Sequence, residues 1–345
     1  MASRAPTVLL TNDDGPPNPR DSPYVFGLYQ HLTQTLGTTS CTGTIIYIVH
    51  RSISGWNVKV VLPSSQKSWI GKAYHIKEVT KGTYFYPKAP DGTGEVAVTS
   101  RPLKDGEIAE WILLDGTPAT CANVGLHNLF PGQIDLVVSG PNLGRNSSSA
   151  FALSSGTVGA ALSASLSQTR SIALSYGTVL HPTPITFFEP AHILGIRIID
   201  HLWNNWGKDK GGLREDEVDL YNVNIPLIQE LLTEEGLKIC WTTMWRKSYG
   251  KLFKQLPAYD TSTAAGPDAP AITDGGVDRS SGLLFKWSPE MEGLIRPLES
   301  SLPVGSDGWA IHKGWVSVTP LCASFAEPPH PEVRDIEEKV WKMKL

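Results

Sequence analysis

The stretch "VLLTNDDG", residues 8–15, decides how the chain is to be read. Val8, Leu9 and Leu10 run straight into Asn12, two adjacent carboxylates and Gly15. A short apolar run bounded this way reads as a buried strand whose end is marked by the polar residues. At about 5 Å and an effective dielectric near 20, Asp13 and Asp14 repel each other by roughly 3 kcal/mol. Some other group has to offset that cost, and the rest of the sequence suggests which.

The next segment, "SPYVFGLYQHLTQTLG" (22–37), carries helix punctuation at both ends. Ser22 suits the N-cap, Pro23 the first helical position and Gly37 the residue beyond the C-cap. Val25, Phe26, Leu28, Tyr29, Leu32 and Leu36 recur at helical spacing and supply a buried face. "NVKVVLP" (57–63) then completes a βαβ unit. Downstream, "IDLVVSG" (134–140) and "SIALSY" (171–176) bracket "SGTVGAALSASLSQ" (155–168), a stretch of small residues that reads as a helix packed close to a sheet. Such alternation predicts an α/β domain with a mainly parallel sheet and helices on its faces. "LYNVNIP" (220–226) and "WVSVTPL" (315–321) read as further strands. Residues 256–285, loaded with Pro, Gly, Ser, Thr and Asp, read as a surface loop or insertion, and 326–345 as a short charged helix or tail.

The bulk numbers set bounds on function. A chain of 345 residues can bury a sizeable core, and 41% hydrophobic with 19% charged residues is ordinary for a folded soluble protein. A net charge of −4 offers no basic footprint for a nucleic-acid polymer. No apolar run approaches the ~20 residues of a membrane helix, and the first residues lack a secretory h-region, so the expectation is a cytoplasmic protein with no membrane partner. Cys41, Cys121, Cys240 and Cys322 are scattered without a CxxC pair and read as reduced thiols.

Three polar clusters follow apolar strands: "NDDG" (12–15), "PSSQKSWIG" (63–71), and "SGPNLGRN" (139–146) with "SSGT" (154–157) beyond it. In a parallel α/β sheet ligands bind outside the carboxyl ends of the strands, so these clusters are expected to converge. Asp13 and Asp14 supply hard oxygen ligands of the kind Mg²⁺ or Mn²⁺ prefers, with Ser68 and Asn142 as neutral oxygens. The Ser-Gly-Thr at 155–157 offers hydroxyls and free N–H groups at a helix start, suited to phosphate. Glycines 140, 144 and 156 allow close backbone approach. Each cluster alone has a plainer reading as a turn, a surface hydroxyl or a helix cap; their joint order carries the inference. There is no G-x-S-x-G elbow, H-E-x-x-H or P-loop, and the nine histidines show no ligand spacing.

This set of motifs resembles the SurE family, the survival-protein-type phosphatases and nucleotidases, in its fungal branch. The matching stretches are "VLLTNDDG", "VVLPSSQKSWIG" (60–71), "DGTPATCANVGL" (115–126), "DLVVSGPNLGRN" (135–146), "SSGTVGAAL" (154–162), "SIALS" (171–175), "NVNIP" (222–226) and "GWVSVTPL" (314–321). The resemblance implies a Rossmann-like three-layer α/β/α fold in a single domain over 1–325. Its core would be 7–200, and a C-terminal β-rich extension over 215–325 would serve dimerisation. It implies a divalent metal site at Asp13, Asp14, Ser68 and Asn142. The phosphate side would comprise Asn12, Gly140, Asn146, Ser155, Gly156 and Thr157, and Asp13, Asp14 and Asn142 would carry the catalysis. The activity implied is metal-dependent hydrolysis of small phosphomonoesters, nucleoside 5′- or 3′-monophosphates or general acid-phosphatase substrates, by a homodimer or higher homo-oligomer. The reading from a different class is a noncatalytic module that keeps the fold and pocket for binding or assembly.

Three departures stand out. Thr120 occupies a position where many relatives have Asp, which is expected to alter local hydrogen bonding. One extra residue lies between Asn142 and the Ser-Gly-Thr, leaving Ser154 and Ser155 as competing equivalents. Residues 38–55, "TTSCTGTIIYIVHRSISG", make an αβ connection far longer than the usual ~2–6 residues. "TIIYIVH" has strand composition, so the segment is either an extra strand and loop or eighteen intron codons read as protein. If retained, it is expected to displace Ser68 or to lie over the mouth of the site.

Overall fold

Along β1 (Thr7–Thr11), successive side chains enter different cores. Val8 and Leu10 pack with Leu28, Leu32, Ile196 and Ile199, whereas Leu9 between them packs with Val61, Val137, Cys121 and Ala164. Side chains alternate across a strand with period two, so a strand buried on both faces must lie in the middle layer of three. The computed structural model describes residues 5–34, 55–178, 182–256, 283–290, 292–326 and 343.

In chain order the further elements are α1 (Val25–Thr33), β2 (Asn57–Pro63), β3 (Gly82–Pro87), β4 (Gly94–Ala97), β5 (Trp111–Leu114), α2 (Pro118–Val124) and β6 (Leu136–Leu143). They continue with α3 (Ser148–Ala152), α4 (Gly156–Leu166), β7 (Arg170–Thr178), α5 (Phe188–Asn204), β8 (Leu220–Leu227), β9 (Ile239–Trp241), β10 (Phe253–Leu256), β11 (Leu284–Trp287), α6 (Glu292–Ile295), α7 (Asp307–His312) and β12 (Val316–Leu321). Ten strands form one sheet in the order β4-β3-β5-β2-β1-β6-β7-β8-β12-β9. The six from β5 to β8 run parallel. On one edge β3 is antiparallel to β5 and β4 to β3; on the other, β12 is antiparallel to β8, with β9 parallel to β12. Helices α1 and α5 cover one face, α2 and α4 the other. This is the Rossmann-like three-layer α/β/α architecture, and its C-terminal strands extend the same sheet.

Helix α1 departs from the expected start. It begins at Val25, with Tyr24 at the N-cap and no side-chain cap bond. Ser22 does not cap it: it lies two residues before the N-cap, and its hydroxyl accepts a hydrogen bond from Asn12 Nδ2 at 3.2 Å. The buried face is the expected one through Leu32, while Leu36 and Gly37 lie outside the described residues. The expected loop at 256–285 begins and ends as strand: β10 and β11 pair antiparallel from Phe253–Trp287 to Leu256–Leu284. Residues 257–282 and nearly all of 326–345 lie outside the described residues. Cys121, Cys240 and Cys322 are free thiols, and Cys41 lies outside the described residues. Among the described residues no helix is long and apolar enough to cross a membrane.

Residues 38–54 also lie outside the described residues, but the chain on either side of 35–54 is defined. Gln34 N donates to Gln30 O at 2.9 Å, and Trp56 N donates to Leu32 O at 2.9 Å. A Cβ added to Gly55 would stand 2.3 Å from Thr33 O. The two ends therefore touch, at the amino edge of the sheet where β2 begins. Ser68 follows the opposite end of β2, and the expectation that 38–55 displaces Ser68 or lies over the mouth of the site falls on residues, 38–54, outside those described. Excising residues 38–55 is expected to leave the melting temperature within a few degrees of the full chain and the circular dichroism spectrum unchanged; a collapse of either would identify the segment as part of the core.

A second consequence comes from the α1–α5 contact. His192 on α5 is buried against Gly27, and its Nδ1 lies 3.1 Å from the Tyr176 hydroxyl. Burial, helped by the neighbouring His31, pushes its pKa down to about 3. Below the ordinary imidazole value of about 6.5 the unfolded chain takes up a proton that the folded chain refuses. This contribution is complete above pH 6.5 and is lost as pH falls toward 3, by at most ~1.4 kcal/mol per pH unit. Buried Asp13 and Asp14, raised rather than lowered, act in the opposite direction over the same range, so the measurement is a difference: urea denaturation of wild type and His192→Gln from pH 7 to pH 4 is expected to show that slope in the stability of the wild type relative to the variant.

Candidate active site

The three polar clusters meet at the carboxyl ends of β1, β2 and β6, beside the start of α4. Each junction is held by a specific bond. Lys67 N donates to Asp13 O at 2.7 Å, and Gly71 N to Ser154 O at 2.9 Å, so the loop carrying Ser68 is fastened at both ends. Thr157 Oγ1 donates to Asp13 Oδ1 at 2.6 Å, and Leu143 N donates to Asp14 Oδ2 at 2.8 Å. Helix α4 approaches so closely that a Cβ on Gly156 would lie 2.8 Å from that of Asp13, which requires glycine at this position.

Asp13 and Asp14 are 3% and 2% exposed. Burial is the largest influence on both. It raises Asp13 to about 6 despite the hydrogen bonds from Thr157 and Gly156. It holds Asp14 well above the ordinary carboxylate range, with the charge of Asp13 adding to the effect. Two desolvated carboxylates that resist ionisation are what a divalent cation would reverse, since its charge restores the ionised form. The donor set passes the same test. Among the described residues no group of three or more His, Cys, Asp or Glu side chains is placed to hold a metal. A cation at this pair would therefore complete its shell from neutral oxygens, which suits Mg²⁺ or Mn²⁺. Ser68 and Asn142 line the same cleft as Asp13. Asn142 commits its nitrogen to Gly144 O at 2.9 Å, leaving Oδ1 as its acceptor arm.

The cleft encloses about 240 Å³. Of the residues singled out from sequence, Asp13, Ser68, Asn142, Asn146 and Ser155 line it together. The others stand behind that lining. Asn12 is fully buried and shapes the turn: its Nδ2 donates to Gly15 O at 2.8 Å while its Oδ1 accepts from Gly15 N at 3.0 Å. Asp14 is tied to β6, Gly156 sits against Asp13, and Thr157 bonds it. Gly140 lies within β6, at a φ of +136°, where a Cβ would clash with Leu174 O at 2.1 Å. Ser155 is the N-cap of α4, its hydroxyl accepting from Val158 N at 3.1 Å, and Ser154 lines the cleft beside it. Thr120 lies in the first turn of α2, where its N–H donates to the hydroxyl of the N-cap Thr117 at 3.1 Å and the two hydroxyls stand 3.0 Å apart.

Several residues at the site were not singled out from sequence. Trp69, Arg145 and Phe151 line the cleft. Trp69 adopts a φ of +62° and packs edge-on against Phe151, Tyr249 and Trp287, seating the β10–β11 ribbon beside the Ser68 loop. Asn146 is held from below by β7 and β8. Its N–H donates to Asn224 Oδ1 at 2.6 Å, its carbonyl accepts from Asn222 Nδ2 at 2.9 Å, and its own Nδ2 donates to Ser175 Oγ at 2.8 Å. Buried Asp307 accepts from the N–H groups of Ser148, Trp245 and Gly308, anchoring the far side of the same loop. The available signal was "NVN" at 222–224, two amides two residues apart in an otherwise buried strand and therefore on one face.

Comparison with known proteins agrees with this architecture. The family described as "Survival protein SurE" matches residues 8–251. A Saccharomyces cerevisiae protein named "Probable tubulin--tyrosine ligase PBY1" is 32% identical over 94% of this chain, which spans only 42% of that protein. "5'-nucleotidase SurE" of Ruegeria pomeroyi is 34% identical, with 78% of this chain covering 91% of it. The protein of the same name from Desulfovibrio desulfuricans is 26% identical, with 93% covering 94%. The crystal structure of the SurE protein from Aquifex aeolicus superimposes with a TM-score of 0.55 at 23% identity, covering 93% of this chain and 95% of that one, a likeness of fold. With the profile spanning well over half of the chain and the Ruegeria relative covered almost throughout, the chain belongs to the survival protein SurE family.

Proposed function

We propose that the cleft hydrolyses small phosphomonoesters with a divalent cation, Mg²⁺ or Mn²⁺, held by Asp13, Asp14, Ser68 and Asn142. The observation that carries this reading is the pair of buried carboxylates joined through Thr157 to the start of α4. It supports a reading in which a cation would sit beside an anion-favouring helix N-terminus. The "5'-nucleotidase" names of the bacterial relatives support nucleoside monophosphates as substrates; general acid-phosphatase substrates fit the same geometry.

Bound there, the cation would polarise a phosphate oxygen and acidify a coordinated water. Asp13 orients the attacking water, its Oδ1 held by Thr157 so that the carboxylate keeps one direction. Asp14, anchored by the Leu143 N–H, keeps β1 and β6 at the spacing that Asn142 needs. The first turn of α4 and the loop through Asn146 face the phosphoryl oxygens, where preorganised dipoles stabilise growing charge without reorganising. The loop keeps its shape because Asn222, Asn224 and Ser175 hold it from the sheet.

Asp13→Asn tests the reading. With p-nitrophenyl phosphate or AMP and added Mn²⁺, turnover is expected to fall by at least ~10²-fold. Because the substitution removes a buried charge, the melting temperature of the metal-free protein is expected to hold or rise. Near-wild-type turnover in the variant would exclude the metal-holding role. A wild-type protein silent on both substrates, with or without residues 38–55, would point to the noncatalytic binding module.

A further inference from the structure

We infer that Arg145 holds the phosphoryl group of the substrate, supplying a positive charge that the other lining residues lack. The inference rests on the reading of the cleft as a phosphomonoester site and adds a residue to it. Among the described residues lining the cleft, Arg145 carries the only Lys, Arg or His side chain. The charges explain why one is needed. Asp13 and Asp14 together cancel a divalent cation, and a phosphomonoester arrives as a dianion at neutral pH. Without Arg145 the loaded site would carry that negative charge against backbone dipoles and neutral amides alone.

Position and chemistry agree. Arg145 lies between Asn142 and Asn146, on the loop clamped by Asn222, Asn224 and Ser175, so its backbone is held to the sheet. Gly144 at a φ of +137° precedes it, a turn open only to glycine without strain. Its Nη2 donates to Ile295 O, the last residue of α6, at 2.5 Å. That bond holds the far end of a long side chain and lowers the entropy lost when an anion is gripped. A guanidinium has five N–H donors in a planar fork that matches two phosphate oxygens, so a bond to a backbone carbonyl is compatible with a second role. The sequence pattern contained no hint of this, since an arginine in a Gly-Arg-Asn loop is ordinary on a surface.

The test uses the purified full chain with Mn²⁺, comparing wild type with Arg145→Ala and Arg145→Lys. For Arg145→Ala, kcat/KM on p-nitrophenyl phosphate is expected to fall ~10²-fold. Competitive inhibition by inorganic phosphate is expected to weaken about tenfold, as loss of a charge-assisted hydrogen bond implies. Added guanidinium ion should restore part of the lost rate, and Arg145→Lys should fall between the two. Arg145→Ala with kcat/KM and phosphate inhibition within about twofold of wild type would overturn the inference. So would a rate loss that tracks a lowered melting temperature, without rescue and with phosphate affinity intact, since that marks only a tether for α6. A wild-type protein that hydrolyses no phosphomonoester would sink the proposed function, and the rise in melting temperature on adding inorganic phosphate would then judge Arg145 alone. A rise present in wild type and lost in Arg145→Ala upholds it; an equal rise in both, or none in either, overturns it.

Discussion

Keeping two neighbouring carboxylates out of water is the constraint on which the site is built. Asp13 and Asp14 are both buried, and their environment resists ionisation more than its hydrogen bonds favour it. A bare pair in that setting is unfavourable by several kcal/mol. The surrounding elements are arranged to offset this: a hydroxyl from α4 on one carboxylate, a backbone N–H from β6 on the other, and glycine where the helix must come close. What remains uncompensated is a place for positive charge. Stability and the proposed function meet there, because groups that are costly in a resting fold are the ones the proposal assigns to a cation.

The sheet makes this possible by geometry. Parallel strands end on one side, so β1, β2 and β6 deliver their loops to the same edge. Layers on both faces exclude water from the strand ends, so short polar loops can be buried if they satisfy one another. The 12–15, 64–71 and 139–157 segments do so through cross-links between loops distant in sequence. β7 and β8 add a second tier, placing Ser175, Asn222 and Asn224 beneath Asn146.

Much of the fold was legible because its signals are local and periodic. The apolar runs at 8–10, 57–63 and 171–176 became β1, β2 and β7, and the small-residue stretch at 155–168 became α4. Ser22, before a proline and an apolar face, reads as an N-cap, yet the helix begins two residues further on, at Val25, and the serine hydroxyl accepts from the buried amide of Asn12. The edge strands β3 and β4 and the ribbon β10–β11 went unread because half-exposed strands alternate weakly. The cleft-lining roles of Trp69 and Arg145 were hidden for a different reason: nothing local distinguishes them from surface residues.

The sequence by itself determined the class of fold, the order of its central elements and the residue types of the site. Hydrophobic period, glycine placement and paired carboxylates are properties of a few consecutive residues. Only the tertiary structure decided which of those residues share a surface. It set Asp13, Ser68, Asn142, Asn146 and Ser155 on the cleft, moved Asn12, Asp14, Gly140, Gly156 and Thr157 behind it, and brought Arg145 in. The reason is physical: lining a cleft depends on which loops are fastened to which. Those fastenings are hydrogen bonds between segments distant in sequence, the longest, from Thr157 to Asp13 and from Leu143 to Asp14, linking residues more than a hundred positions apart.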